Sequence, residues 1–250
     1  MSAMLDFGSL QNGFGRLLRK SLVLIPKKIT LPILQGKARG KLWKRESGND
    51  GYWLGSYEAP KQKLFAESIR EGDVVYDIGA QAGFYTMVAS SCGAKTYAFE
   101  PEPRNYDWLV KHIVLNRVNA VPFNLAISDK DGVEKLAVRQ SSTTHQFSSL
   151  SPTKPDLEIE VAVRTIDSLV KNGEIDPPSV IKIDVEGAQN KVMSGAINTL
   201  QKYHPVIFAE ADEKDMDLLK NIGYVIEKIS EGEYRAEFNK KGPATSSRDL

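Results

Sequence analysis

From residue 57 onward, short apolar runs alternate with stretches in which apolar residues recur at helical spacing. The short runs predict strands, and the periodic stretches between them predict helices. Apolar strands that alternate with helices are typical of a parallel sheet that is covered on both faces. The predicted strands span 74–78, 95–100, 120–127, 180–184, 206–209, 224–229 and 234–238, and the predicted helices span 57–69, 84–91, 103–116, 188–200 and 214–221.

This order of elements predicts an α/β fold with a doubly wound, Rossmann-like and mostly parallel sheet. The last two strands are joined by Glu231-Gly232-Glu233 and are expected to form an antiparallel hairpin at the sheet edge. Residues 133–139 and 158–164 interrupt the alternation and predict two extra strands. The Ser-, Thr- and Pro-rich residues 140–157 between them predict a lid, a binding loop or a disordered segment.

Charge divides the chain into a basic arm and an acidic body. Residues 1–45 contain ten basic residues and one acidic residue; the whole chain has a net charge of +1, so residues 46–250 carry −8. An acidic body argues against a nucleic acid as the partner. We therefore predict a basic N-terminal extension (1–55), a ligand-binding domain (56–240) and a polar tail (241–250).

Residues 10–25 have apolar residues at near-helical spacing, with Arg16, Arg19 and Lys20 on another side. This pattern predicts a short helix that packs on the domain, or an interfacial helix that contacts a membrane surface for a lipid-linked substrate. Cys92 is the one cysteine of the sequence, which is typical of a reducing compartment. No run approaches the roughly 18 apolar residues of a membrane-spanning helix, so we predict a cytoplasmic protein.

The turn after the first predicted strand has the sequence Asp77-Ile78-Gly79-Ala80-Gln81-Ala82-Gly83. Gly79 allows a tight turn, and Gly83 lets the helix and a ligand approach closely. The N–H groups at the start of this helix, around Phe84, can bind an anionic group. The nicotinamide fingerprint G-x-G-x-x-G would need glycine at positions 81 and 84 and is absent. The Asp77 carboxylate instead suits the ammonium group of S-adenosylmethionine.

A second carboxylate, Glu100, ends the second predicted strand about twenty residues beyond the turn. A carboxylate at this place accepts hydrogen bonds from ribose hydroxyls. The two acids in this order therefore predict a site for S-adenosylmethionine. We extend the predicted site to Pro101, which follows Glu100, and to Asn124 and Ala126 for contacts with the adenine ring.

Four motifs follow one another along the chain: DIGAQAGFYT, YAFEPEP, NLAISDKDG and IKIDVEGAQ. In order and spacing they resemble the FkbM family of methyltransferases over residues 52–211. The resemblance implies a class I methyltransferase fold, S-adenosylmethionine bound at the strand ends, and O-methylation of hydroxyl groups on sugars, glycolipids and natural products. Gln81 departs from the family, whose members usually have asparagine there. Both residues are amides, so we expect little functional change.

Ionisable residues gather at the ends of two later strands: Lys182, Asp184 and Glu186 at the first, and Glu210 at the next. A hydroxyl acceptor needs a base. We predict that Asp184 and Glu186 position and deprotonate the acceptor, with Lys182 and Glu210 as supporting charges. One alternative is an ion pair of Lys182 with a carboxylate that only satisfies itself. Another is a divalent metal on these oxygens, although we favour a site without metal.

Histidine offers a further candidate base. His145 lies in the 140–157 loop and could reach over the cleft, whereas we interpret His112, within a helix, as structural and place His204 at the wrong end of a strand. The predicted function is a methyltransferase acting on a hydroxyl of a small molecule, a sugar or a glycolipid. A non-catalytic S-adenosylmethionine-binding module and a nicotinamide-dependent oxidoreductase are the alternatives. The acids at 184, 186 and 210 disfavour the first, and the glycine spacing disfavours the second.

Overall fold

The computed structural model describes residues 26–138, 146–147 and 157–239. The strands are β1 (Thr30–Pro32), β2 (Leu42–Lys44), β3 (Val74–Ile78), β4 (Lys95–Phe99), β5 (Ala120–Phe123), β6 (Ala126–Ile127), β7 (Gly132–Val138), β8 (Gln146–Phe147), β9 (Leu157–Arg164), β10 (Val180–Ile183), β11 (Val206–Glu210), β12 (Tyr224–Ser230) and β13 (Glu233–Phe238). The α-helices are α1 (Asp50–Leu54), α2 (Ala59–Glu67), α3 (Phe84–Ser91), α4 (Pro103–Asn116), α5 (Ile166–Lys171), α6 (Gln189–Ser194), α7 (Ile197–Tyr203) and α8 (Asp217–Asn221).

The central sheet has the strand order β12-β13-β11-β10-β3-β4-β5 within the described residues. Its pairings from β11 to β5 are parallel, and the β12–β13 hairpin joins β11 in antiparallel orientation. All four residues of β10 are buried, as expected for a strand that is covered on both faces. The prediction of a doubly wound, mostly parallel sheet with an antiparallel hairpin at its edge is therefore confirmed.

A second sheet has the order β6-β9-β7-β8, with β7 antiparallel to β9. The two extra strands predicted from the sequence are thus confirmed. The prediction of one strand over 120–127 is wrong, because the chain leaves the central sheet after Phe123 and β6 pairs with β9 instead. Asn124 lies at this crossing, where its side chain bonds the backbone that follows β4.

Two predicted helices are broken in the structure. The helix predicted over 188–200 is divided into α6 and α7 near Gly195, where a Cβ atom would lie 2.0 Å from the carbonyl oxygen of Ser128. Because glycine has no Cβ atom, the chain can pass this close to the backbone that follows β6. The helix predicted over 214–221 is a 3-10 turn (Glu213–Met216) with a capping box at Asp212, followed by α8.

The segment before residue 55 contributes to the core of the domain. Trp43 is fully buried, and its ring stacks on His112 of α4 with centroids 3.9 Å apart. His112 Nε2 accepts a hydrogen bond from the Lys44 N–H, and its Nδ1 faces the Ala82 carbonyl oxygen at 2.7 Å. Burial lowers the pKa of His112 to about 4, so the ring is neutral near pH 7.

Several predictions concern residues that the structure does not describe. The helix at 10–25, the loop residue His145 and the tail at 241–250 lie outside the described residues. The domain boundary at residue 55 stays a prediction, although residues 30–54 pack on the same core. None of the helices described is both long enough and apolar enough to cross a bilayer.

Substitution of Trp43 tests whether this segment stabilises the domain. Trp43→Ala should lower the free energy of unfolding by about 3–5 kcal/mol, because it opens a cavity beside His112 and Phe84. Urea denaturation followed by circular dichroism measures the change. Leu42→Ala, in the same strand but with an exposed side chain, is the matched control and should change stability by less than about 0.5 kcal/mol. Equal stability of the two variants would contradict the packing of β2 on α4.

Candidate active site

The turn from β3 to α3 requires glycine at two positions. Gly79 has φ +75°, and a Cβ atom there would lie 1.9 Å from the carbonyl oxygen of Asp184. Gly83 has φ +91°, and its Cβ would lie 2.6 Å from a Leu109 methyl carbon. The glycines thus allow the turn to pack tightly between the end of β10 and helix α4.

Gln81 adopts the left-handed conformation in the middle of this turn, with φ +49°. Asparagine accepts this conformation more readily than a longer side chain does, which fits the asparagine that is usual in the family. Two hydrogen bonds hold Gln81 in place. Its N–H donates to Glu100 Oε2 at 2.8 Å, and its Oε1 accepts from the Tyr52 hydroxyl at 2.7 Å.

Glu100 lies between the turn and the end of β4 and is 4% exposed. Its Oε1 accepts from the Glu102 N–H at 2.9 Å, so each carboxylate oxygen has one backbone donor and can accept further bonds. Burial raises the pKa of Glu100 to about 7. Asn124 donates to the carbonyl oxygens of Glu100 and Pro101, which joins the loops after β4 and β5; Ala126, also predicted to line the site, is buried in β6.

Asp77 is fully buried at the end of β3. Its Oδ2 accepts from the Thr86 hydroxyl at 2.6 Å, and its Oδ1 lies 3.5 Å from Lys182 Nζ. Oδ1 has no hydrogen-bond partner among the described residues. The ammonium group beside Asp77 in the structure is thus that of Lys182, and the expected contact of Asp77 with a ligand ammonium stays a prediction.

Lys182 is 4% exposed and contacts two carboxylates and the turn. Its Nζ lies 3.1 Å from Asp184 Oδ2 and donates to the Gly79 carbonyl oxygen at 3.1 Å. Burial alone would lower the pKa of Lys182, but Asp184 and Asp77 raise it above its ordinary value. Burial alone would raise the pKa of Asp184, but Lys182 and Lys61 hold it below its ordinary value. The ion pair that we considered as a structural alternative is therefore present and fully charged near pH 7.

Carboxyl oxygens of Glu58, Asp184 and Glu210 lie within 4.8 Å of one another. Burial and the charge of Asp184 raise the pKa of Glu210 to about 7. Glu186 is exposed, and its pKa is also raised, by partial burial and by Asp184. The oxygens could hold a divalent cation, but the ammonium groups of Lys61 and Lys182 already contact Glu58 and Asp184.

Five side chains that were not predicted complete the site: Tyr52, Tyr57, Glu58, Lys61 and Tyr85. Lys61 is 2% exposed, and its Nζ lies 2.5 Å from Glu58 and 2.9 Å from Glu233 of the C-terminal hairpin. The Tyr85 hydroxyl donates to the same Glu58 oxygen at 2.8 Å. Sequence offers one signal for these residues, a cluster of aromatic and acidic residues at 52–58, which has no fixed spacing to the glycine turn.

A small cleft lies at the carboxyl ends of β3 and β10, and Tyr52 and Tyr57 are among the residues that line it. Its volume is only about 10 Å³, and the glycine turn is part of its lining. The predicted residues in its lining are Gly79, Ala80, Gln81, Phe84, Lys182 and Asp184. The other predicted residues of the described chain, Asp77, Gly83, Glu100, Pro101, Asn124, Ala126, Glu186 and Glu210, are not part of this lining. The full lining is Tyr52, Tyr57, Gly79, Ala80, Gln81, Ala82, Phe84, Tyr85, Lys182 and Asp184.

The strand order, the glycine turn after the first parallel strand and the acid after the second define a class I methyltransferase fold. The family model for the methyltransferase FkbM domain matches residues 77–236, more than half of the chain. The chain belongs to this family. The resemblance seen in the four sequence motifs is therefore confirmed.

Two named proteins are similar in sequence to part of this chain. It is 31% identical over 165 residues to the hexuronic acid methyltransferase AglP of Haloferax volcanii, covering 63% of this chain and 65% of AglP. It is 26% identical over 157 residues to the 31-O-demethyl-FK506 methyltransferase FkbM of Streptomyces tacrolimicus, covering 51% of this chain and 60% of that protein. The chain thus spans slightly less than two thirds of these relatives.

Solved structures of methyltransferases are also similar. The methyltransferase FkbM from Methylobacillus flagellatus has a TM-score of 0.46 at 16% identity, over 77% of this chain and 56% of that one. The putative methyltransferase yhhF from Escherichia coli has a TM-score of 0.47 at 13% identity, over 85% of this chain and 100% of that one.

Glu100 should make stability depend on pH. Its pKa rises from 4.5 to about 7 in the folded chain, so between these values the folded protein binds more protons than the unfolded protein. The free energy of unfolding should therefore fall as pH increases across this range. Glu100→Gln cannot ionise, so its stability relative to wild type should increase over the same range, as measured by urea denaturation at several pH values.

Glu67→Gln is the control, because this glutamate is exposed on α2. Its stability should follow that of wild type at each pH. A difference between Glu100→Gln and wild type that is constant from pH 4.5 to pH 7 would contradict the raised pKa.

Proposed function

We propose that this chain is an S-adenosylmethionine-dependent methyltransferase whose acceptor is a hydroxyl group of a sugar, a glycolipid or another small molecule. The observation that carries the proposal is the position of the Glu100 carboxylate, 2.8 Å from the Gln81 N–H at the glycine turn. This is the place where an acid accepts hydrogen bonds from ribose hydroxyls in Rossmann-like folds. Membership of the FkbM family supports the same chemistry.

The residues present fit this cofactor. The Glu100 oxygens can accept more bonds than their two backbone donors supply, and Asp77 Oδ1 has no hydrogen-bond partner among the described residues. When bound, S-adenosylmethionine supplies an activated methyl group, so the protein has only to align the acceptor and remove its proton. The residues proposed to hold it are Asp77, Gly79, Ala80, Gln81, Gly83, Phe84, Glu100, Pro101, Asn124 and Ala126.

The relatives support the proposed class of acceptor. The name of AglP gives a hexuronic acid as the molecule that it methylates, and the name of the Streptomyces protein gives methylation at an oxygen. A hydroxyl group is a poor nucleophile until a base accepts its proton. The acceptor proposed for this chain therefore requires a base beside the cleft.

We assign this role to Glu210 rather than to Asp184 or Glu186. Asp184 is held in its charged form by Lys182 at 3.1 Å and has a lowered pKa, which makes it a weak base. Glu210 lies at the end of β11 beside Asp184 and has a pKa of about 7, close to the value at which a general base works best near neutral pH. Asp184, which Lys182 holds in its charged form, is then a neighbouring charge that raises the pKa of Glu210. The neighbouring charges that shift the pKa of Glu210 are those of Asp184, Lys61, Glu58 and Glu186.

Cofactor binding is tested by calorimetric titration with S-adenosylmethionine and S-adenosylhomocysteine. Both should bind to the wild-type chain, and NAD should not. Glu100→Ala should weaken both by about tenfold or more, because the ribose hydroxyls lose a charged acceptor. Glu67→Ala, a surface carboxylate on α2, should bind like wild type. Wild-type affinity in Glu100→Ala would refute the ribose assignment.

The base is tested with labelled S-adenosylmethionine and an acceptor selected from a panel of sugars, uronic acids and glycolipids. Glu210→Gln should bind the cofactor normally while turnover falls by roughly 10²-fold or more. In the wild type, kcat/KM should rise with pH through about 7, since Glu210 must lose its proton to act; this rise should be absent in Glu210→Gln.

Glu186→Gln is the matched control and should keep the rate. Because the charge of Glu186 helps to raise the pKa of Glu210, the rise in kcat/KM should remain but move to slightly lower pH. Loss of turnover in Glu186→Gln with full activity in Glu210→Gln would return the role to Glu186. Loss of activity in EDTA, with recovery on addition of magnesium, would instead support a metal on the carboxylates of Glu58, Asp184 and Glu210.

A further inference from the structure

The hairpin of β1 and β2 has one apolar face in the core and a second apolar face in solvent. Leu31 and Trp43 are register partners, and Trp43 is buried against His112 of α4. Pro32 and Leu42 are the next pair of register partners, and both are exposed. They lie on the outer face because successive side chains of a strand point to opposite sides. The outer face of this hairpin therefore presents apolar side chains to solvent.

Two more exposed apolar side chains lie in the same segment. Ile29, just before β1, is 37% exposed, and Leu34, just after it, is 48% exposed, compared with 38% for Leu42. Asn116 of α4 fixes the edge of β2, since its Nδ2 donates to the Leu42 carbonyl oxygen at 2.8 Å and its Oδ1 accepts from the Leu42 N–H at 2.6 Å. The exposed side chains are thus carried by a hairpin that is fixed on the domain.

The side-chain charge of this segment is entirely positive. Residues 26–44 contain six basic residues and no acidic residue, and the basic residues lie at both ends of the hairpin. Among the described residues, none of the six forms an ion pair, and the first basic residue along the chain that does is Arg45, with Asp50. The six are Lys27, Lys28, Lys37, Arg39, Lys41 and Lys44.

Basic residues around exposed aliphatic side chains fit the surface of an anionic bilayer. Lysine and arginine attract anionic headgroups, at about 1 kcal/mol each, and apolar side chains enter the boundary between the headgroups and the acyl chains. Proteins that bind single-stranded nucleic acid instead offer exposed aromatic rings on which bases stack. Trp43 is the one aromatic residue of 26–44, and it is buried. A lipid surface therefore complements this segment better than a nucleic acid does.

We propose that the hairpin face, the outer face of β1 and β2 with the basic residues of 26–44, binds the surface of a membrane that contains anionic lipids. This face is separate from the interfacial helix considered for residues 10–25. It is connected to the candidate active site, because the Leu34 N–H donates to the Trp53 carbonyl oxygen of α1 at 2.9 Å and α1 also contains Tyr52. The inference does not depend on the proposed function, since binding to a bilayer needs neither cofactor nor acceptor.

Cosedimentation of the whole chain with lipid vesicles tests the charge of the hairpin face. The wild type should bind vesicles of phosphatidylcholine and phosphatidylglycerol, should bind phosphatidylcholine vesicles much more weakly, and should be released as salt increases. Lys37→Gln/Arg39→Gln should weaken binding to the anionic vesicles about 10- to 30-fold, because two basic residues are lost. Lys214→Gln/Lys220→Gln removes the same charge beside β12, at the opposite edge of the central sheet, and should bind like wild type.

Leu42→Gln tests the apolar part of the face. It should weaken binding to the anionic vesicles about 3- to 10-fold, because a leucine side chain no longer enters the bilayer boundary. Val225→Gln, at an exposed position on β12, is its control and should bind like wild type. Leu34→Gln carries the same test if the Leu42 variant does not fold.

Each contrary result has a distinct meaning. Failure of the wild type to bind anionic vesicles would refute the hairpin face, and so would full binding by Lys37→Gln/Arg39→Gln, because all variants keep residues 1–25. Weak binding by that variant with full binding by Leu42→Gln and Leu34→Gln would leave an anion site that is not a membrane surface. Tighter binding to an oligonucleotide than to anionic vesicles would assign the face to nucleic acid. The proposed function is tested separately, by titration with the cofactor.

Discussion

The buried ammonium group of Lys182 is the interaction on which the rest of the site depends. Lys182 and Asp77 are register partners on neighbouring central strands, and taking their charges out of water costs several kcal/mol for each ion. That cost is offset only while Asp77, Asp184 and the Gly79 carbonyl oxygen surround the ammonium. The ends of β3 and β10 and the glycine turn are thus fixed together by one charge.

The same network reaches parts of the chain that are distant in sequence. Asp184 lies beside Glu210 and Glu58, and Lys61 joins Glu58 to Glu233 on the C-terminal hairpin. The matched family domain, residues 77–236, includes Glu233 but neither Glu58 nor Lys61. Because these groups share partners, the effects of substituting them are expected to be non-additive. The segment before residue 77 is therefore part of the site and not only of the core.

Sequence predicted those features that depend on local spacing. Buried parallel strands and the β3–α3 turn have a pattern within a few residues, so the sheet, Gly79 and Glu100 could be located. Other features depend on residues that are distant in sequence. After Phe123 the chain leaves the central sheet where Asn124 bonds the Glu100 backbone. The helix breaks at Gly195 beside Ser128, and Trp43 is buried against His112. Lys61 is hidden for the same reason, since a lysine is buried only where a folded partner such as Glu233 meets it.

The division of roles between neighbouring acids follows from where the ammonium groups lie. Asp184 and Glu210 are close enough that both carry charge only at a cost. Lys182 contacts Asp184, which lowers the pKa of that carboxyl, and the charge retained there raises the pKa of Glu210 to about 7. Two similar side chains thus acquire different protonation behaviour from their surroundings. Lys182 stays protonated near neutral pH, and its position therefore determines that Glu210, rather than Asp184, gains and loses a proton in this range.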